Sequence, residues 1–207
     1  MGESDDAAFL VLHALKVKGF AGMDEVVDLT GVEPATVERD LAGAVRAGSV
    51  VHREQYVDGW ALTPAGEVRH GRLMAGEREA HSPALGAVVM AAADELARLQ
   101  PRFRRVCTDW QLRTTGGAQT PNDHGDPAYD AAVVSALGEL DDEVQAVIAA
   151  VGGVLGRMTR YGPRLRQART GVEAGDRDRL TRPLAGSYHD TWVELRRDLM
   201  VTSGSEG

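Results

Sequence analysis

One cysteine, two lysines and ten aromatic side chains are all that this 207-residue chain holds of three informative residue classes. Each scarcity excludes something. A lone thiol, Cys107, makes no internal disulfide and no cysteine-based zinc site. The longest apolar run, Ala84 to Ala93, is Ala-rich and falls well short of the about 18 residues needed to span a bilayer. The first residues, Met1 to Asp6, are acidic and lack the charged-then-apolar layout of a secretory leader. A cytoplasmic chain with no membrane partner is therefore expected. Basic excess is also missing. The net charge is −8, and residues 1–80 carry 8 Lys+Arg against 14 Asp+Glu. For a domain meant to sit on phosphates this balance is adverse. There is no glycine-flanked serine elbow, no phosphate-cradling glycine loop and no two-histidine metal signature, so neither an enzyme nor a cofactor or metal is expected.

What the chain does have is punctuation. Leu12 and Leu15, with Ala8 and Val11, form one face of a first helix that Gly19 stops. Met23 to Leu29 reads as a short second helix ended by Thr30-Gly31. Pro34 suits the first turn of a third, running to about Ala47 and burying Val37, Leu41 and Val45. Two short strands follow, Val50 to Tyr56 and Trp60 to Leu62, around an Asp58-Gly59 turn. Thr63 caps another helix with Pro64 at its first position. The order helix, helix, helix, hairpin, helix with a tight turn at Gly31 is that of a winged helix-turn-helix.

The run Leu29-Thr30-Gly31-Val32-Glu33-Pro34-Ala35-Thr36-Val37 resembles the turn and recognition-helix start of MarR-type regulators. Leu41, Ala47-Gly48-Ser49-Val50-Val51 and Leu62-Thr63-Pro64-Ala65-Gly66 are similar to the wing and its closing segment in MarR and PadR-like families. The likeness covers about residues 7–75. It implies a homodimer on double-stranded DNA, with Pro34, Ala35, Thr36 and Arg39 at the groove and Arg46, His52 and Arg53 on the backbone.

From Pro83 the sequence reads as nearly all helix, so the fold class expected is mainly α. A winged helix-turn-helix over 7–80 would precede a helical bundle over 83–203. One long helix is expected over Ala84 to Arg113, kinked or divided at Pro101, then a loop from Thr114 to Pro127. A short helix over Ala128 to Leu137 would precede a glycine-interrupted one from Asp141 to about Ala174. Pro183 and Gly186 would split the last helical region. The segments Cys107 to Gln111, Pro121 to His124, Asp126 to Asp130, Tyr161 to Leu165 and Ser187 to Trp192 resemble segments of actinobacterial regulators of this layout, and are similar to C-terminal segments of actinobacterial proteins related to pyruvate phosphate dikinase, a likeness that implies at most a metabolite-related role.

Within this half, Trp110, Tyr129, Tyr188, His189 and Trp192 are candidates for a ring-lined effector pocket, against plain core packing. Asn122, Asp123 and His124 add polar groups, against an Asx-rich turn in which Asp126 caps the next helix. Arg157, Arg160 and Arg164 follow helical spacing, with Arg166 and Arg169 nearby, and offer a stripe for an anionic effector, against a solvated face. The expected function is a DNA-binding transcriptional regulator that responds to a small-molecule effector. The competing reading is a protein-interaction module whose acidic winged helix acts beside a metabolic enzyme. Catalysis would need His124 or His189 against a carboxylate in a cleft.

Overall fold

A computed structural model describes residues 3–54, 57–81, 84–115, 117–183 and 186–205. The chain divides into two compact units, Met1–Gly86 with Gly204–Gly207, and Ala87–Ser203. It is mainly helical, with two small antiparallel hairpins. Among the described residues no helix is long and apolar enough to cross a membrane.

In the first unit the order is α1 (Glu3–Lys18), α2 (Met23–Thr30), α3 (Pro34–Arg46), β1 (Val50–Arg53), β2 (Gly59–Leu62) and α4 (Pro64–His81). Its core is apolar: Leu12 and Leu15 of α1, Val26 and Leu29 of α2, Val37 and Leu41 of α3 and Met74 of α4 are all buried. Val45, expected inside, is 38% exposed, and Ala44 is buried instead. At 100° per residue position 44, not 45, continues the arc set by 37 and 41. The hairpin pairs Val50 with Leu62 and Arg53 with Gly59; Tyr56, read as strand, lies outside the described residues. Its base is tied down by Thr63, which gives its N–H to the Ser49 carbonyl at 3.0 Å and its hydroxyl to the Gly48 carbonyl at 2.6 Å. Its second strand is tied to the α1–α2 connection, where Ala21 and Trp60 exchange both backbone hydrogen bonds.

The second unit holds α5 (Ala84–Gln111, entering from the first unit), β3 (Leu112–Thr115), β4 (Ala118–Pro121), α6 (Pro127–Gly152), a 3-10 helix (Gly156–Arg160), α7 (Tyr161–Glu173), α8 (Asp178–Thr181) and α9 (Tyr188–Ser203). Three expectations are corrected. Pro101 lies inside α5 without ending it. The loop from Thr114 contains a hairpin, turning at Gly117 with φ 85°. The helix that starts at Pro127 does not stop at Leu137. It runs through Gly138, where a Cβ would come within 3.1 Å of the Arg169 guanidinium. That glycine marks a close approach between α6 and α7 rather than a helix end.

Candidate functional sites

Three contacts shape the turn between α2 and α3. Gly31 takes the left-handed conformation, φ 61°, and returns its N–H to the Val27 carbonyl at 2.7 Å. Thr30 donates its hydroxyl to the Val26 carbonyl and accepts the Val32 N–H. Pro34 then starts α3 with a φ already suited to helix. With Val37, Leu41 and Ala44 turned inward, helical geometry sets the opposite side of α3. Ala35, Arg39, Ala42 and Arg46 fall along its centre at spacings of four, three and four, and all four are exposed. Pro34 is exposed at the start of the same helix, and Thr36 is half-buried. Glu38 lies on the flank. Arg39 is paired with Asp40 at 3.3 Å, an exposed contact worth little in water. Arg46 and Arg53 have no ion-pair partner among the described residues.

On the hairpin, His52 stacks on Trp60, ring centroids 4.3 Å apart and 5° from parallel. Its Nε2 lies 2.7 Å from Asp58 Oδ1 and its Nδ1 3.2 Å from Glu54 Oε1. The histidine expected to assist the DNA backbone thus has carboxylates at both ring nitrogens.

The effector set of the second unit falls into two groups. Trp110, Asn122, His124 and Asp130 form one. Asn122 Nδ2 donates to the Trp110 carbonyl at 3.1 Å and to Asp130 Oδ1 at 3.0 Å. His124 Nδ1 is 2.9 Å from Asp130 Oδ2 and gives its N–H to that carboxylate. The His124 ring lies 4.6 Å from that of Trp110, whose Nε1–H goes to the Arg177 carbonyl. His124 is the one non-glycine at positive φ, 58°, among the described residues. Asp123 takes the Gly125 N–H, and Asp126 takes those of Ala128 and Tyr129 and pairs with Arg113 at 2.8 Å. These are the bonds of an Asx-rich turn and a helix N-cap. The Tyr129 N–H and the Arg113 side chain hold the Asp126 carboxyl below its usual range.

Tyr188 and Trp192 belong to the core. Trp192 is 1% exposed, stacks on Phe103 at 4.3 Å and donates Nε1–H to Gln100. Tyr188 donates its hydroxyl to Asp141 at 3.1 Å, and burial and then that carboxylate push its pKa far up, so it stays a donor. His189 lies 5.8 Å from the Phe103 ring. Among the described residues no ring contact joins the two groups. Of the eight candidates, Tyr129 lines a groove of about 300 Å³ between α5 and α6, with Val106, Val133, Arg102 and Arg105. Its hydroxyl is committed to the Leu112 carbonyl and its ring carries the Arg113 guanidinium.

The arginine stripe is likewise corrected. Arg157 reaches Asp198 and Thr202, Arg164 binds Glu194 at 2.7 Å, and Arg169 is shared among Asp141, Asp142 and Glu173. Its buried carboxylate partners were not singled out in the sequence. Their signal is a carboxylate at an apolar-face position, such as Asp198 between Leu195 and Leu199. Burial pushes the Cys107 thiol up to about 12, away from the thiolate form. The chain matches no family model, no curated protein and no solved structure, so its own residues carry the functional argument.

Proposed function

We propose that the first unit is a winged helix-turn-helix that binds double-stranded DNA, and that the chain is a homodimeric transcriptional regulator. The observation that carries this reading is the exposed Ala35-Arg39-Ala42-Arg46 stripe on the helix that follows the Gly31 turn. Two alanines let a helix backbone sit close to base edges, and guanidiniums at their side reach guanine or phosphate. Arg53 on β1 adds a backbone contact. The acidic surroundings make one copy a weak binder, and a symmetric pair doubles the number of phosphates neutralised. The effector part of the reading falls to the α5–α6 groove beside Tyr129.

The test is fluorescence anisotropy at low salt on duplexes selected from a random pool. Arg39→Ala and Arg46→Ala should each weaken binding by at least about 1 kcal/mol, and loss of a phosphate contact should flatten the salt slope by about 1. Unchanged affinity in both variants would remove α3 from the groove. The carboxylates Glu54 and Asp58 favour a second reading, a protein-interaction module. That reading gains if no duplex is selected and charge reversal at Glu38 or Glu54 abolishes capture of a basic partner.

A further inference from the structure

We infer that His52, Glu54 and Asp58 form a divalent-metal site on the hairpin of the first unit, and that its occupancy controls how that hairpin meets DNA. The second half rests on the DNA-binding reading; the first does not. One ring nitrogen of His52 and one oxygen from each carboxylate lie within 4.8 Å of one another. Tetrahedral coordination at metal–ligand distances of about 2.0–2.2 Å needs ligand atoms roughly 3.3–3.6 Å apart. Glu54 and Asp58 are 76% and 69% exposed, so rotation of their side chains closes the difference without disturbing the core.

The donor set fits a first-row dication such as Zn²⁺: imidazole nitrogen and carboxylate oxygen are ligands it accepts, and three protein donors leave a fourth position for water. Two further features make the site more than three neighbouring side chains. Trp60 holds the His52 ring flat at 4.3 Å, so the imidazole is oriented before a metal arrives. Both ring nitrogens face carboxylates. Whichever nitrogen takes the metal therefore has a carboxylate already beside it, and the other carboxylate rotates to complete the donor set. Binding displaces any proton from the ligating nitrogen and exchanges the carboxylate contact at that nitrogen for metal–ligand bonds.

Charge gives the consequence. Arg53 stands against Glu54 and Asp58 between residues 52 and 58, so this segment is net −1 with a neutral imidazole and +1 with a dication bound. A hairpin tip that repels phosphate becomes one that attracts it, through the largest single charge in the neighbourhood.

Titration of the full chain with Zn²⁺ alone, by calorimetry, should show one site. His52→Gln should abolish it, and Asp58→Asn and Glu54→Gln should each weaken it at least tenfold with circular dichroism unchanged. Ni²⁺ should quench the Trp60 fluorescence, and Trp60→Phe should remove that quenching while keeping Zn²⁺ binding. His124→Gln, at the other carboxylate-bound histidine, should leave binding intact. Zn²⁺ binding that survives His52→Gln, or is lost in His124→Gln, overturns the site. Duplex affinity is then measured with Zn²⁺ and with chelator. A gain of tenfold or more with Zn²⁺, absent in His52→Gln, supports the control. Equal affinity with and without metal overturns the control even where the site stands. No duplex binding under either condition, with Zn²⁺ bound normally, sinks the DNA reading and leaves the site.

Discussion

The two units bury opposite kinds of chemistry. The first has an apolar centre in which the exceptions are few: Thr30 and Ser49, and the stacked rings of His13 and His70, whose Nδ1 and Nε2 lie 3.0 Å apart. Arg39, Arg46, Arg53, Arg69 and Arg72 are exposed. The second folds around buried carboxyl–arginine pairs. Asp141, Glu194 and Asp198 are buried together with the hydroxyls of Tyr161 and Tyr188, and each carboxylate meets an arginine from the 3-10 helix or α7. Buried charge is weakly stabilising at best, since desolvation offsets the Coulomb gain. What the network supplies is direction: Asp198 accepts from Tyr161 at 3.0 Å and Thr202 at 3.1 Å as well as from Arg157, so α7, α9 and the 3-10 helix have one mutual register that satisfies all of them. The division is between an apolar core in the first unit and a core registered by buried ion pairs in the second.

The largest effect that tests this division is expected from Asp198→Ala. It removes the carboxylate beside the Arg157 guanidinium, 8% exposed, and the acceptor of the Tyr161 hydroxyl, which is held protonated by burial first and Asp198 second. Breaking one side of a buried pair costs about 3–5 kcal/mol. Urea denaturation followed by circular dichroism should show the loss, with Asp198→Asn intermediate. A cost below about 1 kcal/mol, the scale of an exposed pair, would put this network on the same footing as the surface pairs and erase the contrast.

Next comes Gly66→Ala, aimed at the apolar unit. A Cβ at Gly66 would sit 1.9 Å from the Ser49 carbonyl oxygen, a backbone atom that also receives the Thr63 N–H. Either α4 or the base of the hairpin must shift, and overpacking of this kind costs about 1–3 kcal/mol. Hydrogen exchange should speed up at β1 and the start of α4 and stay unchanged in α6 and α9. Uniform acceleration across both units would show that they do not unfold separately.

The first unit was the more legible because its signals are local. Gly31, Pro34 and Thr63-Pro64 each dictate backbone within a few residues of themselves, and the observed elements start and stop there. The second unit misled where a residue's meaning depends on a distant partner. Gly138 reads as a helix stop until Arg169 is seen packed over it, and Arg157 and Arg164 read as a surface stripe until α9 supplies Asp198 and Glu194. The hairpin over 112–121 was missed for a different reason. Its outer strand, Ala118 to Pro121, is exposed throughout and so has no hydrophobic alternation to read; the glycine pair at 116–117 was the usable signal. At the candidate sites, residue types were legible but groupings were not: His52 meets carboxylates on either side of the hairpin, and Trp110 is separated from Tyr188 and Trp192.

The smallest expected effect asks whether the second unit's surface charges contribute at all beside its buried ones. Asp126 caps α6 through the Ala128 and Tyr129 N–H groups and pairs with Arg113, and these contacts hold its carboxyl below the ordinary range. Because the folded value is the lower one, its contribution is complete above the unfolded carboxyl value of about 3.9. It fades as pH falls from there through the folded value. Asp126→Ala should therefore lower Tm at pH 7, and the gap from the parent chain should narrow in acid to what the cap bonds of a neutral carboxyl still supply. Asp126→Asn, which keeps an acceptor for the cap but not the charge toward Arg113, should recover most of the Tm. A gap that stays constant down to acid pH would mean that the lost contacts are indifferent to ionisation, and that in this unit charge matters only where it is buried.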